Sequence, residues 1–212
     1  RSYSSAASDV YKRQVLDKLH YDPKIINDDF SIKVYDEFIE AIDSQKRFFL
    51  ESDIEMLLNY RLLIDDQINS SDITFFNTAY ETLINRITEV EGFYEEILDE
   101  PFNFNIDEEI SLDYKNLNYA TNINDLKNLW RKRLKLSALD AYAAKKDIND
   151  DKSDSEKSQT KTNEEIENES RSSLKDNLKD FFQFNSELER SDWFSIYLNS
   201  IVTQYDPHTT YL

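Results

Sequence analysis

Few residues in this chain have types and spacings suited to chemistry. His20 and His208 are the only histidines and there is no cysteine, so any reactive centre must be assembled from hydroxyls, carboxylates, lysine amines and two imidazoles. Neither histidine has a second one four residues away, the spacing that presents two imidazoles to one zinc ion. No metal site is implied, and no cofactor. A nucleophilic set could be drawn from Ser195 or Ser200 with His208 and Asp206, but Asp206 and His208 straddle Pro207, which does not naturally bring carboxylate and imidazole together. His208 reads better as a turn residue. Adjacent carboxylates at Asp28-Asp29, Asp65-Asp66, Asp150-Asp151 and Glu164-Glu165 could divide acid and base roles if their environments separated their pKa values. With 43 acidic residues in the chain, such neighbours arise by chance, and none has the apolar surroundings that tuning requires. They belong on solvated helix surface. No catalytic, cofactor-binding or metal-binding residue is assigned.

Composition narrows the scaffold that could hold a site. The 212 residues include one glycine, three prolines, 13 tyrosines and 13 phenylalanines, with 39% apolar residues and a formal charge of −18. Hairpin turns, phosphate-binding loops and dinucleotide folds need glycine where φ is positive, and Gly92 alone supplies none of them. The chain is mainly α, and the aromatic rings are core material. The charge makes nucleic acid an unsuitable partner, since phosphate binding depends on neutralising lysines and arginines. The one basic aromatic run, Trp130-Arg131-Lys132-Arg133-Leu134-Lys135, reads as a solvated helix face beside a core tryptophan. No stretch approaches the roughly 20 consecutive apolar residues needed to cross a bilayer. Absence of cysteine fits either cytoplasm or periplasm.

The helices that must position these residues follow from apolar periodicity. Phe30, Val34, Phe38 and Ile42 mark a helix over 28–42, capped by Asn27 or Asp28. Ser52 to Glu55 has capping-box spacing and predicts a helix to about Ile68, with Ile54, Leu57, Leu58, Ile64 and Ile68 inward. A longer helix follows from Asp72 to Leu98, with a bend or break expected at Gly92 and a stop at Pro101. Alternation of Phe102, Phe104 and Ile106, then Ile110 and Leu112, predicts a short β-hairpin over 102–113. A further helix is expected from Asn124 to Lys146. Residues 147–171 hold nine acids, four bases and only Ile148 and Ile166 as large apolar residues, which predicts a disordered acidic loop. Helical patterning returns from Leu174 to Leu188, and again after a cap at Ser191, with Trp193, Tyr197 and Ile201 inward. Asp206-Pro207 stops it. The predicted architecture is an irregular helical bundle.

Residues 1–14, RSYSSAASDVYKRQ, resemble a translated sequencing-adapter remnant and are set aside as an unstructured artefact, so that an export signal could have preceded Val15. Residues 15–212 are taken as a single helical domain.

Two stretches carry a family resemblance. Leu19 to Leu57, LHYDPKIINDDFSIKVYDEFIEAIDSQKRFFLESDIEML, resembles the opening of the N-terminal domain of bacterial tail-specific, or carboxy-terminal processing, proteases. Tyr205 to Leu212, YDPHTTYL, resembles the DPHT-x-YL segment that joins that domain to a PDZ domain. In this order they extend the resemblance over Leu16 to Leu212. It implies a structural junction motif at Asp206, Pro207, His208, Thr209, Tyr211 and Leu212, with the chain truncated there. It also implies a periplasmic serine endopeptidase that uses a serine–lysine dyad and acts on proteins with apolar C-terminal tails. The dyad would lie beyond the junction, leaving this part as a non-catalytic scaffold around the substrate route, inactive alone. Its implied partners are the downstream PDZ and protease domains, substrate proteins and, in some members, an adaptor lipoprotein. Relative to that family the acidic segment 147–171 looks like an insertion. The competing readings are a freestanding acidic helical interaction module and, third, a self-sufficient hydrolase.

Overall fold

The structure is a computed structural model, and it describes residues 25–150 and 160–205. Among the described residues there are seven α-helices: α1 Asp28–Asp43, α2 Glu51–Leu57, α3 Ile64–Ser70, α4 Thr74–Asp99, α5 Ile123–Asp150, α6 Asn163–Glu187 and α7 Arg190–Val202. A 3-10 turn, Leu58–Tyr60, follows α2. The bundle class expected from composition is the observed one. The chain divides into two compact units.

The described part of the first unit comprises residues 25–44, 52–84 and 188–205. Asn27 starts α1, its Oδ1 accepting the Phe30 N–H at 3.1 Å, so one orphan donor of the first turn is satisfied. The stripe Phe30, Val34, Phe38 and Ile42 is buried, as its four-residue spacing requires. Phe38 stands at the centre of a ring cluster, with centroids 5.7 Å from Phe75, 6.3 Å from Phe76 and 5.2 Å from Tyr197. Edge-on and tilted pairs at these separations suit the ring quadrupoles. Gln67 joins α3 to α4 because its buried Oε1 accepts the Phe75 N–H at 3.0 Å. Ser71 ends α3 in the left-handed region at φ 58°. Asp72 then caps α4, accepting from the Thr74 N–H at 3.0 Å.

One helix was expected from Ser52 to about Ile68, and two are found. The backbone tightens at Leu58–Tyr60 and turns at 61–63 before α3 begins. Ser52 lies inside α2 and does not cap it. The break changes the rotation per residue from about 100° to about 120°. Leu58, assigned to the inward stripe, opens this turn and lies on the surface.

The described part of the second unit comprises residues 45–51, 85–150 and 160–187. Helix α4 runs without interruption through Gly92, and a Cβ placed there would meet nothing within 4 Å. The break expected at Gly92 as one alternative does not occur, since its backbone stays helical and demands no positive φ. Helices α5 and α6 lie antiparallel: Trp130 meets Phe182, Lys145 reaches Glu169, and Asn149 bonds Lys161, so partner numbers fall as α5 numbers rise. Tyr94 stacks on Phe182 at 4.9 Å, bringing α4 into the same core.

Two expectations fail in this unit. Residues 102–113 form turns and irregular backbone, with no strand. A lone parallel bridge, Leu50 with Ala120, is the nearest approach to β-pairing among the described residues. The acidic segment is also more ordered than its composition implied. Residues 147–150 complete α5, and α6 begins at Asn163. Thr162 and Glu165 form a reciprocal capping box, with the Thr162 N–H to Glu165 Oε2 at 2.7 Å and the Glu165 N–H to Thr162 Oγ1 at 3.2 Å. Ile166 and Ser170 are buried, so one apolar residue and a cap suffice to dock this turn. Residues 151–159 of the expected loop lie outside those described.

Candidate functional site

The densest polar arrangement lies in the second unit, where the basic run of α5 meets the irregular segment 102–114. Helix periodicity sends Trp130 and Leu134 into the core, at 4% exposure each, and leaves Arg131, Lys132 and Lys135 on the flank toward that segment. Glu108 receives two of them. Its carboxylate accepts from Arg131 Nη1 at 3.1 Å and also from Nη2, and from Lys135 Nζ at 2.7 Å. Lys135 Nζ also donates to the Ile106 carbonyl at 2.7 Å, and Lys132 Nζ to the Glu109 carbonyl at 3.1 Å. Hydrogen bonds from Arg131 and then Lys135 hold the Glu108 carboxyl at about 2, well below the usual carboxylate range. The Arg131 guanidinium is pushed up in turn by its bonds to Glu108.

Neighbouring cations are also committed to main chain. Arg133 Nη2 donates to the Gln45 carbonyl at 2.6 Å and its guanidinium lies 5.1 Å from the Tyr114 ring centroid. Trp130 Nε1 donates to the Arg47 carbonyl at 2.7 Å. Glu167, paired with Arg171 at 2.7 Å, accepts the Phe102 N–H at 3.0 Å, while Arg171 Nη1 donates to the Leu98 carbonyl at 2.7 Å. That pair satisfies an open carbonyl at the end of α4 and an amide at the start of the irregular segment. The basic run is thus a set of fasteners, where a solvated face was expected.

Between the segment and α5 lies an open groove of about 270 Å³, whose apolar lining comes from Phe104, Ile106, Ile110, Leu136 and Leu139. Nothing in it converges as reacting groups must. The carboxylate is fully ionised and doubly paired, Lys135 is consumed by that pairing, and no hydroxyl or imidazole lines the wall. The arrangement can position backbone; it has no poised acid, base or nucleophile.

The residues singled out for chemistry are not brought together. Ser195 Oγ donates to the Ser191 carbonyl at 3.0 Å and Ser200 Oγ to the Ile196 carbonyl at 3.2 Å, both back along α7. Asp206, Pro207, His208, Thr209, Tyr211 and Leu212 of the junction motif, with His20, lie outside the described residues. Asp28 and Asp29 occupy the first turn of α1, and Asp65 and Asp66 that of α3, where Asp65 accepts from Ser31 Oγ at 2.7 Å. Carboxylates there complement the helix dipole. Glu164 and Glu165 open α6, and bonds from the Thr162 backbone and hydroxyl lower the Glu165 pKa. Asp150 lies at the end of α5, 4.0 Å from Lys146, and Asp151 is outside the described residues. Among the described residues no group of three or more His, Cys, Asp or Glu is placed to hold a metal, and no helix is long and apolar enough to cross a membrane. Two phenols are strongly perturbed. Burial raises Tyr35 to about 12, helped by Asp36, and burial raises Tyr197 further. Both serve the ring cluster of the first unit.

Glu108 was not singled out in the sequence, and Lys135 only as part of a run read as a solvated face. The signal was the complementarity of Asp107-Glu108-Glu109 and Arg131 to Lys135, charge runs of opposite sign whose separation along the chain hides their meeting.

Comparison with known proteins supplies what local geometry does not. Residues 12–212 match the tail specific protease N-terminal domain. Among curated proteins, the chain is similar to the tail-specific protease of Haemophilus influenzae, 25% identical over 202 residues, covering 93% of this chain and 26% of that protein. The chain thus spans about a quarter of the length of that relative. With a match over nearly its whole length, and a helical bundle among the described residues, the chain belongs to the family of tail-specific protease N-terminal domains.

Proposed function

We propose that this chain is the helical, non-catalytic N-terminal part of a periplasmic C-terminal processing endopeptidase of the serine–lysine type. In this reading a PDZ domain and the protease domain belong to the same protein, and the chain shapes the route by which substrates with apolar C-terminal tails reach the catalytic groups. The observation that carries the reading is the family match over residues 12–212. Geometry is in keeping with a scaffold role, since the polar groups of the second unit are spent on fastening backbone.

The role is tested by cleavage of an unstructured substrate with an apolar C-terminal tail. The intact gene product is expected to cleave it, to spare the same substrate ending in charged residues, and to reside in the periplasmic fraction. The chain of residues 16–212 alone is expected to leave both untouched. Tail-dependent cleavage by the chain alone would overturn the non-catalytic assignment. An intact product without tail-dependent proteolysis would favour a freestanding acidic interaction module.

A further inference from the structure

Within the first unit, the end of α7 is fastened to the side of α1 by one carboxylate. Glu37 Oε1 accepts from the Thr203 hydroxyl at 2.7 Å, and Glu37 Oε2 accepts from the Gln204 side-chain amide. Thr203 is the C-cap of α7. The Gln204 side-chain amide also donates back to the Ser200 carbonyl at 3.2 Å. The backbone tightens here, the Gln204 N–H donating to the Ile201 carbonyl at 3.3 Å and the Tyr205 N–H to that of Val202 at 2.9 Å. Tyr205 then sets its ring edge-on to Phe30 of α1, with centroids 5.6 Å apart, and is buried. Phe30 and Glu37 are two helical turns apart and so share one face of α1. Between them they hold three consecutive residues, Thr203 to Tyr205.

Stability alone would not select a carboxylate for this place. Glu37 meets the C-terminal end of α7, the negative end of the helix dipole, where a cation is the stabilising choice. Among the described residues it is met by two neutral donors and by no cation. What the carboxylate does supply is an acceptor oxygen for each of two donors. A local rule broken with no compensating partner marks a position kept for function. The sequence after this clasp is Asp206-Pro207. Proline fixes its own φ and sterically restricts the residue before it, so the residues that follow are suited to carry on a course set at Tyr205.

We propose that Glu37 is a positioning residue: with Phe30 it sets the course on which the chain leaves α7, and through it the placement of the PDZ domain relative to the protease domain. This rests on the proposed function, which puts both domains after residue 212. A free exit would leave the PDZ domain able to bind a substrate tail yet deliver it poorly, because rate depends on how the bound substrate is held against the catalytic groups. Loss of Glu37 therefore costs turnover and spares tail binding.

The test compares the intact gene product with its Glu37→Ala variant and with the reciprocal swap Glu37→Gln/Gln204→Glu, in which an amide donates to a carboxylate in the opposite sense. Spin labels on p-acetylphenylalanine introduced at Lys33, exposed on α1, and at Thr210 report the exit by pulsed electron resonance. The wild-type distance distribution is expected to be narrow, to broaden in Glu37→Ala and to narrow again in the swap. Per serine titrated with a phosphonate, Glu37→Ala should lose about tenfold or more in kcat on a substrate with an apolar tail. Its KM and its affinity for the isolated tail peptide should stay within about twofold, and the swap should recover at least about half of the lost rate. A merely structural role would lower the titrated fraction and leave kcat per titrated serine unchanged, which would overturn the proposal. So would a wild-type distribution already as broad as that of Glu37→Ala, or a swap that restores neither width nor rate. A wild-type product that shows the narrow distribution but no tail-dependent cleavage would sink the proposed function, and the positioning role with it, while leaving the clasp itself in place.

Discussion

Glu108 has a folded-state carboxyl pKa near 2, against an ordinary value of 4.5, because Arg131 and Lys135 both donate to it. A carboxyl depressed in the folded state contributes stability that is complete above its unfolded pKa and is lost as pH falls toward the folded one. Attachment of residues 102–113 should therefore hold above pH 4.5 and weaken from there down to about pH 2. Side-chain carboxyl NMR should find Glu108 titrating near 2, and hydrogen exchange of the amides at 106–110 should accelerate across that window. In Glu108→Gln this pH dependence should vanish, with faster exchange already at neutral pH. A Glu108 midpoint near 4.5 would show that the pairing does not persist in solution. Sequence alone displays both charge runs, yet only the fold reveals that they meet, because no local period links Glu108 to residues on another element. Leu58 teaches the converse. Its place on the inward stripe assumed an unbroken helix, and the helix ends at the residue before it.

At the scale of elements, long apolar periods were legible and local breaks were not. Helices α1 and α4 lie close to their predicted bounds because their buried stripes persist over several turns. The hairpin predicted over 102–113 is absent for a physical reason. Its alternating apolar residues look outward for partners, but its backbone bonds to side chains: the Phe102 amide to Glu167, and the Ile106 and Glu109 carbonyls to lysines of α5. Composition likewise concealed the start of α6, although the capping residues Thr162 and Glu165 are visible in sequence. Gly92 gives an element-scale prediction. It sits exposed in a continuous helix with open space at its Cβ position, so Gly92→Ala should stabilise the protein by about 1 kcal/mol, the usual penalty of glycine in a helix interior. Urea denaturation measures this through a raised midpoint at unchanged slope. A lowered midpoint would mean that the space at Gly92 is not open in solution.

For the whole molecule, two units imply two cores. Phe76 and Phe182 are both almost fully buried, the first in the ring cluster of the first unit and the second among α4, α5 and α6. Truncating either to alanine should cost roughly 3–5 kcal/mol, from lost transfer energy and the cavity left behind. Hydrogen exchange should locate each loss: Phe76→Ala in α1 and α7, Phe182→Ala in α5 and α6. Uniform loss in both variants would show a single cooperative core. The candidate site was legible mainly in the negative, since neither sequence nor geometry assembles a nucleophile with a base among the described residues. Family membership was legible in the order of motifs at the two ends of the match.

Under the proposed function, the catalytic groups of the protein reside further along the same gene product. Long-read sequencing of the gene is the most direct measurement. The reading frame should continue beyond the Leu212 codon into a PDZ domain and then a protease domain bearing a serine and a lysine. A stop codon directly after Leu212 in the intact gene would contradict the account.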